Sequence, residues 1–326
     1  MNRLGAIAFA CTIVLALVLP QFLKGYGIFL LSMWAVLSVA ALGLNLTLGY
    51  AGQVSLAQGA FVGIGAYTAA LLMQAGWPYP AAFVCSALLC FGVGWILGYP
   101  ALRVQHHYLA FVTLAFNTLV FLVLRNEEWL THGTYGISGV MRPVLLGWST
   151  GKPLAYYYFS LGMMALVAAA LWWMLRSPWG RAFVALRENP IRALSLGLDT
   201  RRYTLMAFAI GSSLGGISGA LYAPLVQFIE PNSFALALSF NLLLMVIVGG
   251  SGYFFGPFLG ALIAVLLPEW LRVTEGYYLL AYAAAVMLMM AFFPYGLFGM
   301  VERALRAMRL KRVPPAPTLK AERTRP

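Results

Sequence analysis

The sequence predicts an all-α fold, a polytopic transmembrane helical bundle of about ten spans with both termini cytoplasmic, and three observations predict it. Of 326 residues, 62% are hydrophobic and 9% are charged, against about 45–50% and about 25% in an ordinary soluble domain. The apolar residues run on continuously for the ~20 positions that a helix needs to cross a bilayer, without the alternation of an outer-membrane strand. The net charge of +12 sorts onto one set of loops.

Taken in order, the apolar runs between breakers give candidate spans at 4–23, 27–48, 54–73, 80–100, 108–125, 154–175, 203–229, 235–249, 254–271 and 277–293. The first resembles a secretory leader, but Pro20, Gln21, Phe22, Leu23 and Lys24 offer no small-x-small cleavage site, so it reads as a retained span. The eighth and tenth are short. Cys11, Cys85 and Cys90 lie within apolar runs with no metal-ligand spacing and read as packing residues.

With the N-terminus inside, 16 of the 21 basic residues fall on the cytoplasmic side, leaving Lys24, Arg125, Arg142, Lys152 and Arg272 outside. Four acidic residues lie inside and five outside, so the whole excess of +12 is cytoplasmic. This is the Lys/Arg bias that sets topology and does not call for a nucleic-acid partner. Residues 1–300 then form one membrane domain, with an outer loop at 126–153 and an inner loop at 176–202. The tail 301–326, basic and rich in Pro314, Pro315 and Pro317, has no apolar periodicity and is expected to be disordered.

Small residues recur every fourth position in Ser55, Gly59 and Gly63; in Gly211, Gly215 and Gly219; and in Gly252, Gly256 and Gly260. On one helix face that spacing lets a second backbone approach closely. The stretch 42–67 concentrates Asn45, Thr47, Gln53, Ser55 and Gln58 among closely spaced glycines at membrane depth. Polar groups there line a path or bond across helices, and both readings stand at this point. Thr113, Asn117 and Asn241 join Asn45, Gln53, Ser55 and Gln58 as candidate path residues. No Asp, Glu, Lys or Arg lies in the middle of a candidate span, which argues against a proton-driven carrier.

In the inner loop, Ser177-Pro178 and Asn189-Pro190 are N-cap and first-turn pairs that start two short helices. Gly197 stops the second, and Asp199 caps the next span. The pattern shows Arg181, Arg187, Glu188 and Arg192 to the cytoplasm and turns Phe183, Val184, Leu186, Ile191 and Leu194 away from it. A stiff capped helix of this kind either transmits force to a soluble partner or anchors the loop at the surface. No motor is encoded: Gly151-Lys152 lacks the glycine five positions earlier that a phosphate-cradling loop needs and is followed by Pro153. His106 and His107 are adjacent, a poor ligand geometry, and His132 stands alone, so neither a catalytic nor a metal site is expected.

Six segments in one order carry a resemblance. They are Gly43 to Tyr67 with its GYAGQ core, YLAFVTLAF (108–116), THGTYGISGV (131–140), GRAFVALRENPIRALSLG (180–197), GGSGYFFGPFLGA (249–261) with LPEWL (267–271), and FPYGLFG (293–299). Together they resemble the inner-membrane permease subunits of ABC importers for branched-chain amino acids, the LivM-like type, from about residue 40 to 300. The resemblance implies a second, homologous permease subunit, two ATPase subunits docked inside, a periplasmic substrate-binding protein outside, and no cofactor in this chain. It implies that Arg187, Glu188, Ala193 and Gly197 couple the loop to an ATPase. The family's E-A-A-x-x-x-G pattern, anchored on Gly197, is met only by Ala193 and Gly197, since Ile191 and Arg192 occupy its first two positions. Relatives of this type carry urea, short amides or aromatic acids as well, and a stand-alone carrier or channel is the rival class.

Overall fold

Two helices covered on most sides by their neighbours form the centre of the protein, and the glycines on their faces let those neighbours come close. The computed structural model describes residues 14–101, 106–145, 148–271 and 296–300, together with 284 and 287–288. The central pair are α1 (Gly25–Leu44), continued by a π-helical turn over Asn45–Tyr50, and α8 (Thr200–Val226). About 72% of the apolar window of each is buried. Around them stand α2 (Gln58–Gln74), α3 (Tyr79–Ala101), α4 (His106–Asn126), α5 (Pro153–Arg176), α9 (Leu236–Gly249) and α10 (Gly256–Leu271). Only 28% of the window is buried in α3, α4 and α5, so these present most of their surface to lipid or to another subunit. Two short helices, α6 (Pro178–Glu188) and α7 (Pro190–Ser195), form the inner loop between α5 and α8.

Among the described residues, six helices are long and apolar enough to cross a membrane: Gly25–Tyr50, Tyr79–Pro100, Tyr108–Asn126, Pro153–Arg176, Thr200–Val226 and Pro231–Gly249. Helices α2 and α10, at 17 and 16 residues, are shorter, and they coincide with the third and ninth candidate spans. The first candidate is described only from residue 14, and the tenth, 277–293, lies almost wholly outside the described residues, as do Cys11 and the tail 301–326.

Packing onto α8 explains the glycine stripe. Gly211 lies against the Gly43 carbonyl and Thr47, Gly215 against Phe61 and Gln58, and Gly219 against the Val62 carbonyl and Ala66, so one face of α8 meets α1 and α2 backbone to backbone. Gly65 of α2 lies against the Gly216 backbone of α8 in the same way, while Gly216 itself faces Cys90 and Ser86 of α3. The other two stripes are corrected. Gly59 and Gly63 lie on α2 against Ser239 and Phe234, but Ser55 precedes the helix. Gly256 and Gly260 pack α10 onto Gly249 and Met245 of α9, whereas Gly252 lies in the turn before α10 at φ +82°. A four-residue spacing is shared by helices and by loops that merely contain several glycines, and it does not separate them.

Proline in α8 is accommodated by its neighbours. Pro224 has no N–H to give to the Ala220 carbonyl, and the Tyr79 hydroxyl of α3 donates there instead at 3.3 Å. Tyr156 of α5 donates to the adjacent Leu221 carbonyl at 2.5 Å. Both hydroxyls are buried, and both tie an outer helix to the central one. At the end where the chain leaves α8, Ile137–Ser138 of the 126–153 loop pairs antiparallel with Phe228–Ile229, holding that loop over the bundle.

Candidate functional site

The inner loop is built from the caps the sequence contains. The Ser177 hydroxyl accepts from the Trp179 N–H, the Asn189 side chain from the Arg192 N–H at 3.0 Å, and Asp199 from the Arg202 N–H at 3.1 Å. Each cap satisfies one orphan donor at a helix start, worth about 1 kcal/mol. Gly197 ends the segment at φ +83°, a conformation that costs a residue with a Cβ about 1–2 kcal/mol. Phe183 and Leu186 are buried, with Phe183 set among Trp179 and Tyr203, so α6 is fastened to the start of α8.

The loop shows Arg181, Arg187, Glu188 and Arg192 outward and buries Phe183 and Leu186, as the pattern predicts, but it leaves Val184, Ile191 and Leu194 uncovered. Ile191, Leu194 and Leu196 are 78%, 62% and 80% exposed, while Ala193 is buried. Val184 is exposed as well. The loop therefore presents Ile191, Leu194 and Leu196 at its tip beside the exposed Glu188, Arg192 and Ser195, and Ala193 packs inward. These large aliphatic side chains stand uncovered at the end of the capped loop among the described residues.

Arg187, although exposed, reaches the inner end of α1. Its Nη1 donates to the Gly49 carbonyl at 2.6 Å, its Cβ and Cγ lie against Gly52, and its guanidinium stands against Gly252. Asn45 meets the same turn from the other side, its Nδ2 donating to the Tyr253 carbonyl at 3.0 Å and its Oδ1 accepting from the Gly252 N–H at 2.9 Å. Gly296 packs on Gly250, and the Phe298 ring lies 5.6 Å from Tyr253 and 6.0 Å from Phe255. Four segments distant in sequence (49–53, 185–189, 249–256 and 296–299) thus converge at one inner junction. No local sequence signal announces this, because the partners are about 50 to 200 residues apart.

The other candidate path residues are mostly bonded across helices. Gln58 Nε2 donates to the Ala40 carbonyl at 3.0 Å and to the Gly211 carbonyl at 3.1 Å, tying α2 to both central helices. Gln53 Nε2 donates to the Thr204 carbonyl at 3.1 Å. Thr113 accepts from the Leu56 N–H, and Ser55 from the Ala57 N–H. Ser239 bridges Asn117 to the Gly59 N–H at 3.0 and 2.8 Å. Asn241 alone of the seven is exposed, on α9. Interhelical bonds within a membrane average about 0.6 kcal/mol and reach about 1.7. Gln58→Leu, which removes two, is therefore expected to destabilise the protein by about 1–2 kcal/mol, read as a lowered thermal transition in detergent.

A groove of about 570 Å³ runs along the outer face of α4, lined by Leu114, Ala115, Thr118, Leu119, Leu122, Val123, Asn126 and Glu127. Thr118 and Asn126 lie exposed on a helix that is otherwise apolar on that face. His106 and His107 begin α4, and their side chains lie outside the described residues.

Comparison with known proteins agrees with this architecture. The chain is 33% identical to the high-affinity branched-chain amino acid transport system permease protein LivM of Escherichia coli K12, over 90% of this chain and 75% of that one. It is 29% identical to the probable branched-chain amino acid transport permease protein LivM of Methanocaldococcus jannaschii, over 68% of this chain and 63% of the relative. A more distant likeness, 24% over 79% of this chain and 74% of the other, is to the autoinducer 2 import system permease protein LsrC of Escherichia coli O9:H4. No solved structure matches. The sequence pattern of the branched-chain amino acid transport system permease components matches residues 27–294, most of the chain, and the chain belongs to that family.

Proposed function

We propose that this chain is the permease subunit of an ATP-driven ABC importer of the bacterial inner membrane and forms half of the path for leucine, isoleucine and valine. It would assemble with a second, similar permease, two ATPase subunits and a periplasmic binding protein, with about ten spans and both termini inside. The observation that carries the reading is the capped α6–α7 loop with Ile191, Leu194 and Leu196 exposed at its tip. A chain without a phosphate-cradling loop needs a motor from elsewhere, and this tip is a rigid apolar surface fit to meet one. The substrate assignment rests on the family and on the two LivM relatives.

The path belongs to the exposed face of α4 and α9, where Thr118, Asn126 and Asn241 interrupt apolar surface. An asparagine facing lipid is costly, and one facing a second subunit across a watery path is not. The basic tail 301–326 would lie against anionic headgroups on the inner side. The test is uptake of radiolabelled leucine into proteoliposomes holding the full assembly. Uptake is expected only with the ATPases, ATP and the binding protein all present. Uptake by the purified chain alone would assign it to stand-alone carriers instead.

A further inference from the structure

We propose that Arg187 is the positioning residue that passes movement of the α6–α7 loop to the inner end of α1 and to the 250–255 turn. This rests on the importer reading above and adds the internal link that reading lacks. The link is visible as a set of contacts made by one side chain. Arg187 Nη1 grips the Gly49 carbonyl at 2.6 Å, its stem packs on Gly52, and its guanidinium abuts Gly252.

The acceptor is a particular one. Gly49 belongs to the π-helical turn Asn45–Tyr50, where the Ala51 N–H reaches back to the Leu46 carbonyl and the Gln53 N–H to the Thr47 carbonyl. A cation at this helix end meets the negative pole of the helix and a carbonyl that the ladder leaves free. π-helical turns are rare in helices and are found frequently at functional sites. Arg187 therefore holds α1 at the turn where its α-helical ladder gives way to π-helical bonding.

The second contact is tight because glycine makes it so. Gly252 lies at φ +82° after Gly250 at φ +117°, and a Cβ on Gly252 would overlap Arg187 Nη1 and come within 3.0 Å of the Gly49 carbonyl. Asn45 closes the far side with its two bonds to Gly252 and Tyr253. The π turn and the 250–255 turn are consequently one body, gripped on one side by Asn45 and on the other by Arg187. At its other end α6 is joined to α5 through the Ser177 cap. A push on the loop tip reaches α1 and α9–α10 through the planar Arg187 guanidinium, whose Nη1 meets both segments and which a flexible point charge would replace poorly.

The experiment uses the complete assembly in proteoliposomes and reads leucine uptake per ATP hydrolysed. Arg187→Ala is expected to keep the ATPase subunits bound and hydrolysing while uptake per ATP falls about tenfold, the size of an ordinary coupling free energy. Arg187→Lys, which keeps the charge and a donor but loses the planar group that lies against Gly252, is expected to lower the ratio by a smaller factor and carries the test should Arg187→Ala fail to assemble. A wild-type ratio in the variants that assemble overturns the proposal. So does loss of the ATPases from the Arg187→Ala assembly alone, since Arg187 is then a docking residue. Failure of the wild-type chain to bind ATPases is the different result that removes the importer reading itself.

Discussion

Gly219→Leu is expected to prevent assembly of the protein in the membrane, leaving little or none of it in a folded, extractable form. A Cβ at Gly219 would overlap the Val62 carbonyl, lie 2.6 Å from the Ala66 nitrogen and 3.0 Å from the Gly65 carbonyl carbon. All three are backbone atoms of α2, and no rotamer change moves them. Relief requires α2 and α8 to separate, which opens the contact that Gly65 and Gly216 make one turn away. Overpacking a core costs about 1–3 kcal/mol where side chains give way, and here the cost lies above that range. Gly92→Leu and Gly162→Leu are the matched controls, because nothing lies within 4 Å of a Cβ at either position. Both are helical, and both variants are expected to be as stable as the parent or better by up to about 1 kcal/mol. Membrane yield and the thermal transition of the solubilised protein separate the two outcomes; normal yield of Gly219→Leu would mean that the two backbones are not in contact.

The same comparison shows where sequence reasoning reached and where it stopped. Ser177, Asn189, Gly197 and Asp199 were legible because a cap is decided within four residues of itself. The Gly211, Gly215 and Gly219 stripe was legible because helix geometry alone puts these residues on one face. The partners of Asn45 and Gln58 were not, because a buried amide satisfies itself with whichever carbonyl the fold brings near, here Tyr253 and Gly211. Arg187 is the surface charge its polar run suggests, but its contacts with Gly49, Gly52 and Gly252 were not legible, because those glycines lie far from it in sequence. Ile191 and Leu194 looked inward-facing because apolar side chains avoid water. These two side chains depart from that rule, since both stand exposed on α7.

This departure makes the loop tip the most sensitive surface outside the core. Ile191→Asp combined with Leu194→Asp is expected to weaken binding of the ATPase subunits at least about thirtyfold, since truncating buried interface anchors costs about 2 kcal/mol or more. The fold is expected to be untouched, within about 0.5 kcal/mol, because both side chains are exposed in the isolated chain and neither supports a neighbour. Ala193→Asp makes the opposite contrast: Ala193 is buried against the bundle, so that change destabilises the loop itself. Co-purification of the ATPases, set beside the thermal transition of the permease, distinguishes the cases. If the double variant retains its ATPases at full strength, the tip of α7 is an ordinary exposed surface and the motor docks elsewhere. If it loses them while remaining as stable as the parent, the exposed aliphatic side chains have their explanation. The loop would then be stabilised internally by its caps and by Phe183, and would keep its remaining apolar surface for another chain.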